Sequence, residues 1–387
     1  MMNDFDRNIH CLLGLPVDAV DMAQAMKQVR ASAQKKTPCF LSTPNLNFLI
    51  ACQKDSKFRD AVINSDLSIA DGMPLVWLAR LLGIPIAERV AGSDLFEQLR
   101  KTSADPLAVY FFGGVENVAE TACRRLNAES GGFTCAGYTA PGFGSIEEMS
   151  RDEDIAKINA SGADFVVVSL GAKKGQAWIE RNRARITAPI ISHLGAVVNF
   201  VAGTVIRAPH WMRHSGLEWV WRIGQERDLW RRYFYDLVSL LHMFTTRVLP
   251  YALCLRRHAP SQAALVAATA EMIESPQTSV IYCHGAWSMQ NIDRLRSIFK
   301  AAASRSCDVE LNMQQATYVD SLFLGLLMLL YKHQAQQGKQ LVITGLSKRV
   351  SQIFRWNGAT FLCALPRLGR EEDGAVAGNV NGAPIKI

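Results

Sequence analysis

The sequence predicts an α/β chain with two sheet-bearing units, one large and one small. Between residue 10 and about residue 205, short apolar runs alternate with amphipathic stretches of helical period. That alternation is the signature of a parallel sheet covered by helices on both faces. From about Ser279 to Pro366 the pattern resumes on a smaller scale, after a stretch with no strand pattern. At 387 residues and 49% hydrophobic content, the chain is long enough for two or three domains with real cores.

In the first unit, 1–205, the expected strands are Cys39–Thr43, Leu67–Ala70, Ala108–Gly113, Phe133–Tyr138, Asp164–Gly171 and Pro189–Gly195. Helical patterns such as Asn117–Ala128 and Lys174–Ile186 lie between them, which makes the layout Rossmann-like. The run Phe165-Val166-Val167-Val168 reads as a central strand, buried on both sides. Residues 206–257 then form a helical appendage, with Pro209 interrupting or starting a helix. Within it the Lys-or-Arg positions are all Arg, nine against four carboxylates, interleaved with Trp and Tyr. Residues 258–278, rich in Ala and Ser, read as a linker.

The second unit, 279–366, reads strand Ser279–His284, helix Asn291–Ala303, strand Asp308–Met313, helix Ser321–Gln336, strand Leu341–Leu346 and helix Lys348–Trp356. The tail, 367–387, is Gly-, Ala- and Asn-rich and is predicted to be flexible.

Composition narrows the function classes. The nine Cys are scattered, with no CxxC and no Cys/His set at metal-ligand spacing, so reduced, mostly buried thiols are expected. Met1 to His10 is polar and of mixed charge, unlike a secretory signal. No stretch reaches about 18 clean apolar residues, so no spanning helix is expected. The nearest candidate, Tyr233 to Leu255, is interrupted by Asp236, His242 and Arg247. A net charge of +7 is modest, and no nucleic-acid partner is expected.

Candidate chemistry gathers where strands stop and helices begin. Asp71 follows Leu67–Ala70, and Gly72 lets the chain turn sharply. Spacing alone fits a helix N-cap at least as well as a general base, and one carboxylate can do both. Thr43 and Asn45 end the preceding strand, as hydrogen-bonding groups for a polar substrate or as an ordinary Thr-Pro-Asn turn. Arg89 is placed to fork onto a phosphate, or to bridge Glu88 or Asp94.

Gly113-Gly114 and Gly171 follow strands and precede helices, where backbone N–H groups can face a diphosphate. A tight turn explains the first pair equally well. The third glycine of a dinucleotide fingerprint is missing, which argues against a nicotinamide oxidoreductase. Asp152-Glu153-Asp154 matches a metal-holding string but reads as a solvated helix face, so no metal or cofactor is expected.

Thr43-Pro44-Asn45, Ser65-Asp66, Ala70-Asp71-Gly72 and Glu88-Arg89-Val90-Ala91-Gly92-Ser93-Asp94 together resemble the WecG/TagA/CpsF family of bacterial glycosyltransferases. The likeness continues through Gly171 to Gln176, Arg207-Ala208-Pro209-His210-Trp211-Met212, Gly216-Leu217-Glu218-Trp219 and Arg222. It implies an inverting transfer from a UDP-sugar, N-acetylmannosamine-type above all, to an undecaprenyl-diphosphate-linked saccharide. Asp71 would be the base, with Thr43, Asn45 and Arg89 on the acceptor. Gly113, Gly114, Gly171 and Gln176 would hold UDP. Gly175 and Ala177 stand where the family has Pro and an acidic residue, so only Gln176 carries over there.

Without a metal, Arg207, Arg213 and Arg222 of the appendage would steady the leaving diphosphate. Trp and Tyr among Arg also suit an anionic membrane surface, giving a cytoplasmic protein held peripherally at the inner face. A buried docking face is the competing explanation.

Asp308-Val309-Glu310-Leu311, Val319-Asp320-Ser321, Leu324-Gly325 and Leu341 to Leu346 resemble a STAS domain, the fold of anti-sigma-factor antagonists. Ser321 falls at the position phosphorylated in regulatory members, with Leu322 and Phe323 replacing the family's small residue and Gly. That unit implies a protein partner, and it leaves open a second reading: a regulatory protein whose first unit only senses a nucleotide sugar. A homo-oligomer is also open.

Overall fold

The computed structural model describes residues 4–102, 105–209, 211–212, 216–225 and 229–363. Arg213 and the 367–387 tail lie outside these. The chain opens with a hairpin of β1 (Ile9–Leu12) and β2 (Leu15–Asp18), which the sequence reading missed. Helix α1 (Met22–Lys35) starts in a capping box between Asp21 and Gln24.

Then come β3 (Cys39–Ser42), α2 (Leu46–Lys54), α3 (Ser56–Ile63), β4 (Leu67–Ser68), α4 (Met73–Leu81) and α5 (Gly92–Lys101). The unit continues with β5 (Leu107–Gly113), α6 (Glu116–Ala128), β6 (Phe133–Thr139), α7 (Asp152–Ala160), β7 (Phe165–Ser169), α8 (Ala172–Asn182), β8 (Ile190–His193) and α9 (Val197–Ala202). The six strands β3 to β8 form one parallel sheet in the order β4-β3-β8-β7-β5-β6. Phe165 to Val168 lie fully buried within it, and separate apolar clusters cover its two faces.

Helices α10 (Glu218–Gln225) and α11 (Leu229–Arg257) make up the appendage. The 29-residue α11 is long and apolar enough, by length and composition, to cross a membrane, which the sequence reading did not expect. The helix runs past Asp236, His242 and Arg247 without a break, with a turn of π-helix at Phe244–Val248. Here it lies against the protein, with Met243, Val248, Tyr251 and Ala252 buried.

The segment expected to be a linker, 258–278, holds α12 (Gln262–Val266) and β9 (Thr269–Glu274). β9 pairs antiparallel with β10 (Thr278–Trp287), so the second sheet starts earlier than 279. Beyond it are α13 (Ile292–Ser304), β11 (Asp308–Val319), α14 (Ser321–Gln336), β12 (Leu341–Thr344) and α15 (Lys348–Trp356). The sheet order is β12-β11-β10-β9.

The expectation of nine reduced thiols is corrected. Cys123 on α6 and Cys135 on β6 form a disulfide, because packing of that helix on that strand brings their Cα atoms to 5.1 Å. The other seven are free.

One apolar cluster runs through both units. It joins the hairpin, α2 to α4, the buried side of α11 and the interior of the C-terminal unit. Helix α14 lies across β1 so closely that a Cβ on Gly325 would sit 2.0 Å from the Ile9 carbonyl oxygen. Beside this contact, Lys332 Nζ reaches Asp4 Oδ2 at 2.7 Å and Asp66 Oδ1 at 3.1 Å. Arg7 pairs with Asp18 at 2.8 Å and donates to the Ser65 carbonyl at 2.8 Å.

Because Gly325 faces backbone that cannot yield, Gly325→Val is expected to destabilise the whole protein by about 1–3 kcal/mol or more. A single cooperative melt at lower temperature checks this. An unchanged melt would show that the two units do not share a core.

Candidate active site

A cavity of about 870 Å³ opens at the carboxyl ends of β3, β4, β7 and β8. In a parallel sheet this is where loops leave the strands and side chains converge. Thr43, Asn45, Asp71, Arg89, Gly171 and Arg222 all line it. Five stretches far apart in sequence are thus brought to one cleft. Helices α10 and α11 form its outer wall through residues such as Trp219, Arg222 and Tyr233.

Asp71 is fixed from two sides. Its backbone N–H donates to the Pro44 carbonyl at 2.8 Å, tying the end of β4 to the end of β3. Its Oδ2 accepts the Gly92 N–H at 3.3 Å, at the first turn of α5. Gly92 permits that approach, since a Cβ there would lie 2.5 Å from Leu194 and 2.7 Å from Thr43. Asp71 does not cap α4, whose N-cap is Gly72 without a side-chain bond. Burial pushes its pKa up to about 7; Arg89 and the Gly92 N–H pull the other way, while Glu218 and Asp94 add to the rise. A carboxyl poised near neutrality accepts a proton most effectively from an attacking hydroxyl at that pH.

Asn45 has both of the roles its position allowed. Its Oδ1 caps α2 by accepting the Phe48 N–H at 3.2 Å, and the residue still lines the cleft. Arg89 donates to Asp94 at 2.5 Å and to Glu218 at 2.8 Å. Burial disfavours its charge, but Asp71, Glu218 and Asp94 outweigh this and raise its pKa. Arg89 therefore ties the appendage, through Glu218, to the loop before α5.

Other expected residues stand elsewhere. Gln176 is fully buried, within 3.3–3.5 Å of Ser42 Oγ, and faces the sheet. Gly113 ends β5 and Gly114 follows it, both outside the cavity lining. A Cβ on Gly113 would meet the Ser169 carbonyl at 2.7 Å, so close strand packing explains that glycine. Arg207 also stands outside the lining and braces α5, donating to Asp94 at 2.6 Å and Ser93 at 3.0 Å. Arg213 lies outside the described residues.

Sequence reasoning missed His193, which ends β8 in the cavity wall. Burial pushes its pKa down to about 4, so it is neutral, and its buried Nε2 has no hydrogen-bond partner among the described residues. The strand-end rule that found Asp71 could have found it too. Among the described residues no group of three His, Cys, Asp or Glu side chains is placed to hold a metal ion.

A near-neutral carboxyl, a paired arginine and a large cleft at parallel strand ends have the layout of an α/β group-transfer enzyme. The profile of the glycosyl transferase WecG/TagA/CpsF family matches residues 10–253, so the chain belongs to that family and is a glycosyltransferase. The profile described as Mlab, STAS domain matches residues 272–364, making the C-terminal unit a STAS domain. The purely regulatory reading gives way to an enzyme.

Curated relatives include N-acetylglucosaminyldiphosphoundecaprenol N-acetyl-beta-D-mannosaminyltransferases. That of Bacillus spizizenii is 28% identical over 194 residues, spanning 50% of this chain and 74% of its own. That of Bacillus subtilis is 26% identical over 200 residues, spanning 51% and 76%. That of Staphylococcus aureus is 23% identical over 225 residues, spanning 57% and 85%.

If the base titrates as its surroundings dictate, kcat/KM is expected to fall about tenfold per unit below pH 7, the regime in which Asp71 holds its proton. A profile flat down to pH 5 would assign the proton transfer elsewhere.

Proposed function

We propose that this enzyme transfers an N-acetylmannosamine-type sugar from a UDP donor to an undecaprenyl-diphosphate-linked saccharide, with inversion and without a metal. The observation that carries the reading is the Asp71 carboxyl, raised to about 7 in a cleft of about 870 Å³. Ionised Asp71 takes the proton of the acceptor hydroxyl as that oxygen attacks the anomeric carbon. UDP leaves from the opposite face. Thr43 and Asn45 orient the acceptor by hydrogen bonds. The N-terminus of α8, with Gly171 at φ +77°, offers backbone N–H groups to the donor diphosphate.

Arg222, and Arg232 beside it in the cavity wall, supply positive charge as the diphosphate departs. Such fixed cations do the neutralising that a divalent ion does in other nucleotide-sugar enzymes. The relatives' printed names support the lipid-linked acceptor, and the UDP donor is part of the proposal, carried over from the family resemblance.

The outer surface favours attachment to the inner face of the cytoplasmic membrane. Trp219, Trp230, Phe234, Leu237 and Leu241 are each between 46% and 63% exposed on α10 and α11, next to the cleft mouth. Aromatic and Leu side chains beside Arg fit an anionic lipid interface.

UDP release from UDP-N-acetylmannosamine and a lipid-diphosphate N-acetylglucosamine acceptor tests the reading. Asp71→Asn is expected to lower kcat about 10²–10⁴-fold. The same change should raise the melting temperature at pH 8. Folding raises the pKa of Asp71, so its contribution to stability is lost as pH rises from about 4 through 7, and Asn removes that cost. Full activity in the variant, or activity abolished by EDTA and restored by manganese, would refute the mechanism.

A further inference from the structure

A second concavity, about 270 Å³, adjoins the active-site cleft between α4 and α11. Trp77, Leu78 and Leu81 form one side, and Leu237, Leu241 and Phe244 the other. Pro74 and Leu240 complete it, so the indole N–H of Trp77 is the one side-chain heteroatom in the wall. Pro74, Trp77, Leu237 and Leu240 line this groove and the main cleft alike, so the two spaces adjoin. The main cleft is chemically opposite, holding Asp71, Arg89 and Arg222.

Trp77 is 50% exposed, Leu81 38%, Leu237 60% and Leu241 63%. Large apolar side chains grouped in one concave strip mark a binding surface. The occupant must have a polar end that reaches Asp71 and an apolar chain attached to it. We propose that this groove seats the first isoprene units of the polyprenyl acceptor, next to its diphosphate. The proposal rests on the lipid-linked acceptor read above and adds where the lipid is recognised.

Size agrees with that occupant. An apolar cavity of about 150 Å³ takes one benzene, so this groove has room for roughly two five-carbon units. The remaining chain would leave past Leu241 along the exposed face of α11. The lipid is then gripped by the protein where it meets the diphosphate, and the enzyme distinguishes prenyl chains from short alkyl groups without any bilayer.

The test uses the full chain in detergent-free solution, with UDP-N-acetylmannosamine as donor. Two soluble acceptors are compared below their aggregation limits: N-acetylglucosamine diphosphate carrying a methyl group, and the same carrying a two-unit geranyl chain. The readout is the ratio of their kcat/KM values within each protein, so a partial loss of folded enzyme divides out. The expected result is a preference for geranyl of about tenfold or more in the native protein. In Leu81→Gln and Leu241→Gln that ratio falls towards one. No preference in the native protein, or an undiminished preference in both variants, overturns the groove while leaving the transferase reading intact. No turnover of either acceptor would overturn the proposed donor and acceptor, and the groove with them.

Discussion

The Asp71 carboxyl stands just past the end of a strand only two residues long, and such a strand cannot position anything by itself. What holds it is a buried ionic cluster at the back of the sheet. Asp18 Oδ2 accepts the Ser68 N–H at 2.7 Å, and Ser68 Oγ donates to the Pro16 carbonyl at 2.6 Å, so β4 is pinned to the hairpin. Arg7 clamps Asp18 and the Ser65 carbonyl. Lys332, from the C-terminal unit, closes the cluster onto Asp4 and Asp66, and Asp66 accepts the Phe40 N–H of β3 at 2.9 Å. Buried ion pairs of this kind add little net stability, yet removing one partner costs about 3–5 kcal/mol, because the other charge is stranded. Their effect is to fix one register between β3, β4 and the hairpin.

The C-terminal unit is therefore part of the enzyme's framework. Its helix α14 supplies Lys332 and the Gly325 contact that seats β1. At the other end of that contact, Ser321 is buried and lies 3.0 Å from His10 Nδ1. Burial pushes the His10 pKa down to about 4, so the ring meets Ser321 neutral and cannot offer a cation to a phosphate. A phosphoryl group needs both space and positive charge. The position that resembles a regulatory serine here offers neither while the two units are packed together.

Strand positions were legible because their signal is local. The run Phe165 to Val168 needs no distant partner to read as a buried strand, and Asp320 marks the start of α14 by accepting the Leu322 and Phe323 N–H groups. The hairpin was not legible, because Ile9 to Asp18 is buried by a helix more than three hundred residues away. Asp71, Thr43 and Asn45, read from strand ends and resemblance together, line one cleft. Gln176 was misplaced although its helix carried the correction: Ile179, three residues on, belongs to the apolar face of α8, and so does Gln176. Gly113 and Gly114 failed for a topological reason. β5 lies beyond β7 in the sheet order, one strand away from those that line the cleft.

The arginines show why residue type alone did not assign roles. Asp94 holds both Arg89 and Arg207, by way of different oxygens, at 2.5 and 2.6 Å. Those two guanidinium groups brace the start of α5, which is the element that presents the Gly92 N–H to Asp71. Arg89 extends the bracing to Glu218, and so to the first helix of the appendage. The appendage is thus tied to the start of α5 by an unbroken line of charge pairs, Glu218, Arg89, Asp94 and Arg207, and α5 in turn presents the Gly92 N–H to Asp71. Displacing α10 would pull on Arg89, whose charge restrains the rise in the Asp71 pKa. Glu218, on the same helix, pushes that pKa up, so α10 bears on Asp71 both directly and by way of Arg89.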